Sequence, residues 1–231
     1  MILIKFSIIL ILFNLMNVVH SENNNISFKG VAVEAKKGDI DSQFALGQMY
    51  DTGKGVKKNY KEAVKWYRKA AESGSMEAQY YLGNKIENGQ GVSKNDKEAN
   101  KWYYKSADQG YDKAQAWLGY QLYHGRGVIK DRKKSVKWYK KAAEQGNKYS
   151  QHKLGIIYEH DLNDENEAFK WYLKAAEQGD SVAQSKIGKR YYIGNGVDKD
   201  YKKALKWLAK SDIADAKYVL GVMINNGHGI E

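Results

Sequence analysis

The 231-residue chain contains no cysteine and no proline. The first absence excludes disulfides, thiolate metal sites and a cysteine nucleophile. The second leaves the 22 glycines to end the helices and shape the turns. Long apolar runs are scarce too: Phe6 to Leu15 is the one candidate, with nothing comparable downstream. It is shorter than the ~20 residues a bilayer span needs. Lys5 is the only charged residue before Glu22, and Val19-His20-Ser21 offers a cleavage site, so residues 1–21 read as a secretory signal peptide. The alternative is an uncleaved anchor. With no cysteine, a lipoprotein anchor is excluded, and the expected location is secreted or periplasmic. The chain as a whole is 42% hydrophobic and 28% charged, which suits a folded protein.

A fixed interval dominates the rest. Trp66, Trp102, Trp138, Trp171 and Trp207 are 36, 36, 33 and 36 residues apart, and Gly47, Gly83, Gly119, Gly155, Gly188 and Gly221 keep nearly the same step. Periods of this length mark a solenoid. Within one period, Asn59-x-x-Glu62 reads as a capping box, and Tyr60, Ala63, Trp66, Tyr67, Ala70 and Ala71 follow at helical spacing. Gly74 ends that helix. A second carries Ala78, Leu82, Gly83 and Ile86 on one face and stops at Gly89-x-Gly91, so each period is a helical hairpin. A glycine inside a helix costs roughly 1 kcal/mol relative to alanine. Its recurrence implies close approach by the tryptophan and tyrosine of the neighbouring helix, which makes the five spaced tryptophans core residues.

The stretches "SQFALGQMYDTGKGVKKNYKEAVKWYRKAAESG" from Ser42 and "AQAWLGYQLYHGRGVIKDRKKSVKWYKKAAEQG" from Ala114 resemble the Sel-one-like repeat family, relatives of the tetratricopeptide repeats. The resemblance runs from about Gly38 to Ile230. It implies an all-α fold, a right-handed α-solenoid of about five and a half repeats over residues 39–231, with residues 22–38 as an N-terminal cap segment. It also implies protein–protein scaffolding. Three departures stand out: no proline follows the Gly-x-Gly-Val turn, the fourth repeat replaces that turn with "EHDLNDENEA" from Glu159, and the sixth repeat has its first helix only.

Net charge is +11. Basic residues concentrate on the Trp-bearing helices, with Lys61, Lys65 and Lys69 expected opposite the Trp face. That pattern is either a solvated exterior or a basic convex face for anionic membrane or cell-surface polymer. Nucleic acid is not an expected partner for a secreted chain. A protein partner belongs instead in the concave groove, where fixed slots carry different side chains from copy to copy. Tyr80, Tyr81, Trp117, Tyr120 and Tyr123 form an aromatic set that is either a binding hot spot or filling between repeats. Lys186, Lys189 and Arg190 would make the groove basic and suit an acidic segment.

Enzymatic readings are weaker. Ser150-x-x-Lys153 matches a short motif of penicillin-binding hydrolases, but Ser150 occupies a small core slot and no companion motif follows. His124 and His160 recur in one slot without a ligand set for a metal. The expectation is therefore a non-enzymatic scaffold without cofactors. The alternatives are a periplasmic immunity protein neutralising a secreted lipase effector and, more weakly, a hydrolase.

Overall fold

The computed structural model describes residues 28–229; the segment read as a signal peptide lies outside them. The described residues are helical throughout apart from turns. Residues 28–37 form α1. Then come α2 (Ile40–Thr52), α3 (Tyr60–Glu72), α4 (Met76–Asn88), α5 (Asp96–Asp108), α6 (Asp112–His124) and α7 (Arg132–Glu144). The series ends with α8 (Lys148–His160), α9 (Glu165–Glu177), α10 (Ser181–Ile193), α11 (Tyr201–Lys210) and α12 (Ala214–Asn225). This is an all-α solenoid of helical hairpins. It divides into two compact units, α1–α5 and α6–α12, with the sequence boundary between Gly110 and Tyr111.

Local sequence explains where helices start. Asn59, Asn95, Asp131, Asp164 and Asp200 each accept a hydrogen bond from a first-turn amide of the odd-numbered helix they precede. Such caps contribute about 1 kcal/mol each. The reciprocal half of the capping box is replaced: the Asn59 and Asn95 amides donate to the Tyr50 and Ile86 carbonyls of the preceding helix, not to a glutamate. The cap thus also ties one helix to its neighbour. Most even-numbered helices end on a left-handed glycine, as at Gly53, Gly89, Gly125 and Gly194. Helices α8 and α12 depart from this: α12 is capped by Asn226 at φ -92°, and α8 stops at Asp161 in right-handed geometry, with Asn163 at φ 51° completing the short turn.

The close approach expected at the helix glycines is made by tyrosine, not tryptophan. A Cβ on Gly119 would lie 2.7 Å from the ring of Tyr139, and one on Gly155 would lie 2.5 Å from the ring of Tyr172. Tyr67 and Tyr103 pack likewise on Gly47 and Gly83, and all four rings are fully buried. Leu208 replaces the tyrosine at Gly188, and Gly221 has nothing near it. The tryptophans pack one residue round the helix, where each is covered by the lysine three positions later. The Lys69, Lys105, Lys141, Lys174 and Lys210 ammonium groups lie 4.4–4.5 Å above the ring centroids of Trp66, Trp102, Trp138, Trp171 and Trp207. Lys69 is therefore on the Trp face and not opposite it, because a lysine three residues on stacks over the preceding ring.

A second repeated contact was not anticipated from sequence. Buried Gln79, Gln151 and Gln184 donate to the Ala71, Ala143 and Ala176 carbonyls at the end of the preceding helix. Gln109, Gln145 and Gln178 in turn donate to the side-chain oxygens of Gln79, Gln115 and Gln151. These amides satisfy helix-end carbonyls that burial would otherwise strand.

Candidate functional site

Above the tyrosine–glycine seam lies a layer whose chemistry changes from repeat to repeat. The residue four after the helix glycine is Asp51 in α2, Glu87 in α4, Tyr123 in α6, Glu159 in α8 and Tyr192 in α10. Where it is acidic, it receives the buried tyrosine hydroxyl: Tyr67 to Asp51 at 3.3 Å, Tyr103 to Glu87 at 2.9 Å and Tyr172 to Glu159 at 2.8 Å. Burial foremost, and then the neighbouring carboxylate, push these three hydroxyls far above the ordinary phenol range, so they remain donors. Two of the acids also hold a buried cation from the next even-numbered helix: Asp51 with Lys85 at 2.6 Å, and Glu159 with Arg190 at 2.9 Å. Burial pushes the Glu159 carboxyl up. Its hydrogen bonds to Lys186, Tyr172 and Arg190 outweigh that and hold it below the usual carboxylate range.

Helix α6 exchanges this ionic layer for an aromatic one. Tyr123 occupies the acid position, and Ile157 stands where Arg190 stands one repeat later. Tyr139 has lost its carboxylate; burial first, and next the neighbouring Tyr149, push its hydroxyl far up. Tyr123 reaches across to Asp161, donating at 2.9 Å, and Arg132 holds the other oxygen of that carboxylate at 3.3 Å while lying over the Tyr123 ring. Around this link Trp117 stacks on Tyr120, with centroids 5.3 Å apart and planes 23° apart, and Tyr120 and Tyr123 both contact His124. Arg126 covers the Tyr120 ring, and Lys153 covers exposed Tyr149. Burial first, then Arg126, Lys153 and Lys130, lower the His124 pKa and favour the neutral ring.

The sequence-predicted residues are thus distributed over both units. Trp117, Tyr120 and Tyr123 come together on α6 with partly exposed rings. Tyr80 and Tyr81 belong to the first unit, where Tyr81 stacks on Tyr67 at 5.6 Å and Phe44 lies 5.5 Å from Tyr81. A cleft of about 450 Å³ opens beside Tyr67 and Tyr81, lined also by Val31, Ala45 and Met49. The basic trio on α10 is already engaged: Lys186 pairs with Glu159 at 2.9 Å, Lys189 with Asp215, and buried Arg190 with Glu159 and Glu165. Those pairs neutralise much of the positive field expected on α10.

Ser150 is fully buried in the core, where no substrate reaches it. Glu165 and Glu167 pair with Arg190 and Lys170, and Asp164 caps α9. Among the described residues no three His, Asp or Glu side chains are grouped to hold a metal ion, and no helix is long and apolar enough to cross a membrane.

Comparison with known proteins matches this architecture. The chain resembles the protective antigen c5321 of uropathogenic Escherichia coli, which displays an SLR fold, at 36% identity and a TM-score of 0.78. That match covers 90% of this chain and 46% of the antigen, so the present chain spans about half its length. A Sel1 repeat protein from Oxalobacter formigenes is also 36% identical, with a TM-score of 0.72, covering 80% of this chain and 78% of that one. The immunity protein Pa5087 of Pseudomonas aeruginosa shares the fold at 22% identity and a TM-score of 0.53, with 82% and 74% covered. A comparison with curated proteins finds no match. The Sel1 repeat pattern matches residues 40–75, 77–111, 112–147, 148–180, 181–211 and 214–231. With its hairpins, tyrosine–glycine seams and six matched segments, this chain belongs to the Sel1 repeat family.

Proposed function

We propose that the chain is a non-enzymatic scaffold, acting outside the cytoplasm, that binds a polypeptide partner on the aromatic face of α6. The observation that carries this reading is the replacement of the ionic layer by clustered rings on α6. Trp117, Tyr120 and Tyr123 are partly exposed, and His124 is held among the tyrosines. Rigid aromatics of this kind give large contact area at little cost in side-chain entropy, which is why they dominate interface hot spots. Tyr80 and Tyr81 would offer a further aromatic contact on the first unit. On α10, the partly exposed Lys186 and Lys189 would exchange their intramolecular carboxylates for those of an acidic partner segment. The extracytoplasmic location rests on the charge and apolar pattern of residues 1–21.

Affinity capture from the extracytoplasmic fraction of the source cells tests this, run beside a Trp117→Ala, Tyr120→Ala double variant shown to be folded by circular dichroism. A dominant protein retained by wild type and lost by the variant is the expected result. Equal recovery by both would remove the α6 face as the site. The immunity reading is a narrower form of the same proposal: it requires the retained protein to be a lipase, bound one to one and silenced on binding.

A further inference from the structure

The shortened turn after α8 changes more than chain length. In the regular repeats, the Gly-x-Gly turn that follows an even-numbered helix lies over the first turn of the odd-numbered helix before it. A Cβ on Gly91 would collide with the Tyr60 carbonyl of α3, one on Gly196 would lie 2.9 Å from the Glu165 carbonyl of α9, and one on Gly229 would lie 3.0 Å from the Tyr201 carbonyl of α11. After α8 that second glycine is missing, and Asp161-Leu162-Asn163 turns directly into α9. The start of α7 is left without this cover. A cleft of about 390 Å³ stands there, lined by Val136, Ile157 and Leu162, with Arg132, Lys133, Lys137 and Asp161 at its edges. Leu162, at the edge of this cleft, is 52% exposed.

The charge around the cleft is one-sided. The first turn of α7 carries no acid, whereas α3, α5 and α9 each carry at least one there. Arg132 is held by Asp161. Among the described residues no carboxylate is paired with Lys133 or Lys137, and both side chains are exposed. An apolar floor under unpaired cations fits one occupant best: a peptide segment that places an aliphatic side chain in the cleft and carboxylates beside it.

We infer that this cleft is a peptide-docking site for an acidic segment with one aliphatic anchor. The anchor would cover Val136, Ile157 and Leu162, and flanking Asp or Glu side chains would pair with Lys133 and Lys137. The site does not depend on Trp117 or Tyr120, so it stands or falls separately from the α6 face. A free acidic residue alone would gain little from exposed lysines. The anchor supplies the desolvated contact, and the charges supply orientation and partner choice.

The test uses the full chain, isotopically labelled, titrated with the acetylated and amidated peptide Glu-Glu-Leu-Glu-Glu and followed by amide chemical shifts. The expected result is saturable shifts confined to residues around Lys133, Lys137, Ile157 and Leu162. Affinity should fall by about tenfold when the peptide leucine is replaced by serine, and by about the same factor in a Lys133→Glu, Lys137→Glu variant. Both lysines are exposed, so that variant keeps its fold; its unperturbed spectrum elsewhere checks this. Absence of shifts at millimolar peptide, shifts centred elsewhere, or equal affinity for the charge-reversed variant would each overturn the proposal. Binding of phosphatidylglycerol vesicles that is lost in the charge-reversed variant, with no response to the peptide, would also overturn it and assign the surface to a membrane.

Discussion

The helix pairs α6–α7 and α8–α9 lie in the same unit and each has the same kind of seam, yet they differ in almost everything above it. In both, a tyrosine of the odd-numbered helix lies flat on a glycine, Tyr139 on Gly119 and Tyr172 on Gly155. Over α8 the next layer is ionic, with Tyr172, Lys186 and Arg190 converging on Glu159. Over α6 it is aromatic, with Tyr123 in the acid position and Ile157 in the cation position. The seam depends on the absence of a side chain and tolerates little change. The layer above depends only on mutual satisfaction, by charge or by stacking, and can therefore be exchanged. That exchange is where this chain acquires a surface its neighbouring repeats do not have.

The difference can be broken from the ionic side first. Glu159→Ala leaves buried Arg190 with Glu165 alone and should cost about 3 kcal/mol by chemical denaturation at neutral pH, since removing one partner strands a buried charge. A pH series sharpens this. The folded-state pKa of Glu159 is depressed, so its contribution is complete above the unfolded value near ~4.3 and is lost as pH falls through the folded one. The stability gap between wild type and Glu159→Gln should therefore be widest at pH 6–7 and shrink below about pH 4.

Next is the seam itself. Gly119→Ala and Gly155→Ala should each destabilise by roughly 2 kcal/mol, because the new methyl meets a buried ring that cannot withdraw. Gly221→Ala in α12, with open space around it, should be neutral or stabilising by up to ~1 kcal/mol, and thermal melts of the three variants separate close packing from helix propensity. If all three behaved alike, the seam would not be what the glycines serve. A smaller effect is expected on the aromatic side: Tyr123→Phe removes one hydrogen bond to Asp161 and should cost about 1 kcal/mol, well below the Glu159 effect. The smallest is Lys174→Met, which replaces a cation over Trp171 by an apolar chain. It should change stability by about 0.5 kcal/mol, an amount resolvable by denaturant midpoint.

The fold was legible in the sequence because its determinants are periodic. Helix glycines, Trp-Tyr pairs and Asn or Asp caps recur at nearly one interval; the interval marks a repeat array, and the caps and helical spacing within it identify the hairpins. The division of labour within the Trp-Tyr pair was not legible. Both residues are large aromatics on one face, and only the backbone geometry decides that tyrosine meets glycine while tryptophan is roofed by lysine. The glutamine contacts were within reach: Gln43, Gln79, Gln115, Gln151 and Gln184 recur at the same spacing, but a buried amide leaves no hydrophobic signal to draw attention to it. The clustering of Trp117, Tyr120 and Tyr123 follows from helical spacing. The engagement of Lys186 and Lys189 does not, because Glu159 and Asp215 lie 27 and 26 residues away. The 33-residue step from Trp138 to Trp171 marks the shortened turn after α8 in the sequence, but what the missing turn would have covered is a fact of packing between helices.

The most direct measurement of the central claim is a calorimetric titration of the retained partner into wild type and into the Trp117→Ala, Tyr120→Ala variant, both shown folded by their melting curves. Loss of the α6 rings should weaken binding by at least about tenfold, or ~1.4 kcal/mol. An unchanged affinity in a folded variant would contradict the assignment of partner choice to the aromatic layer.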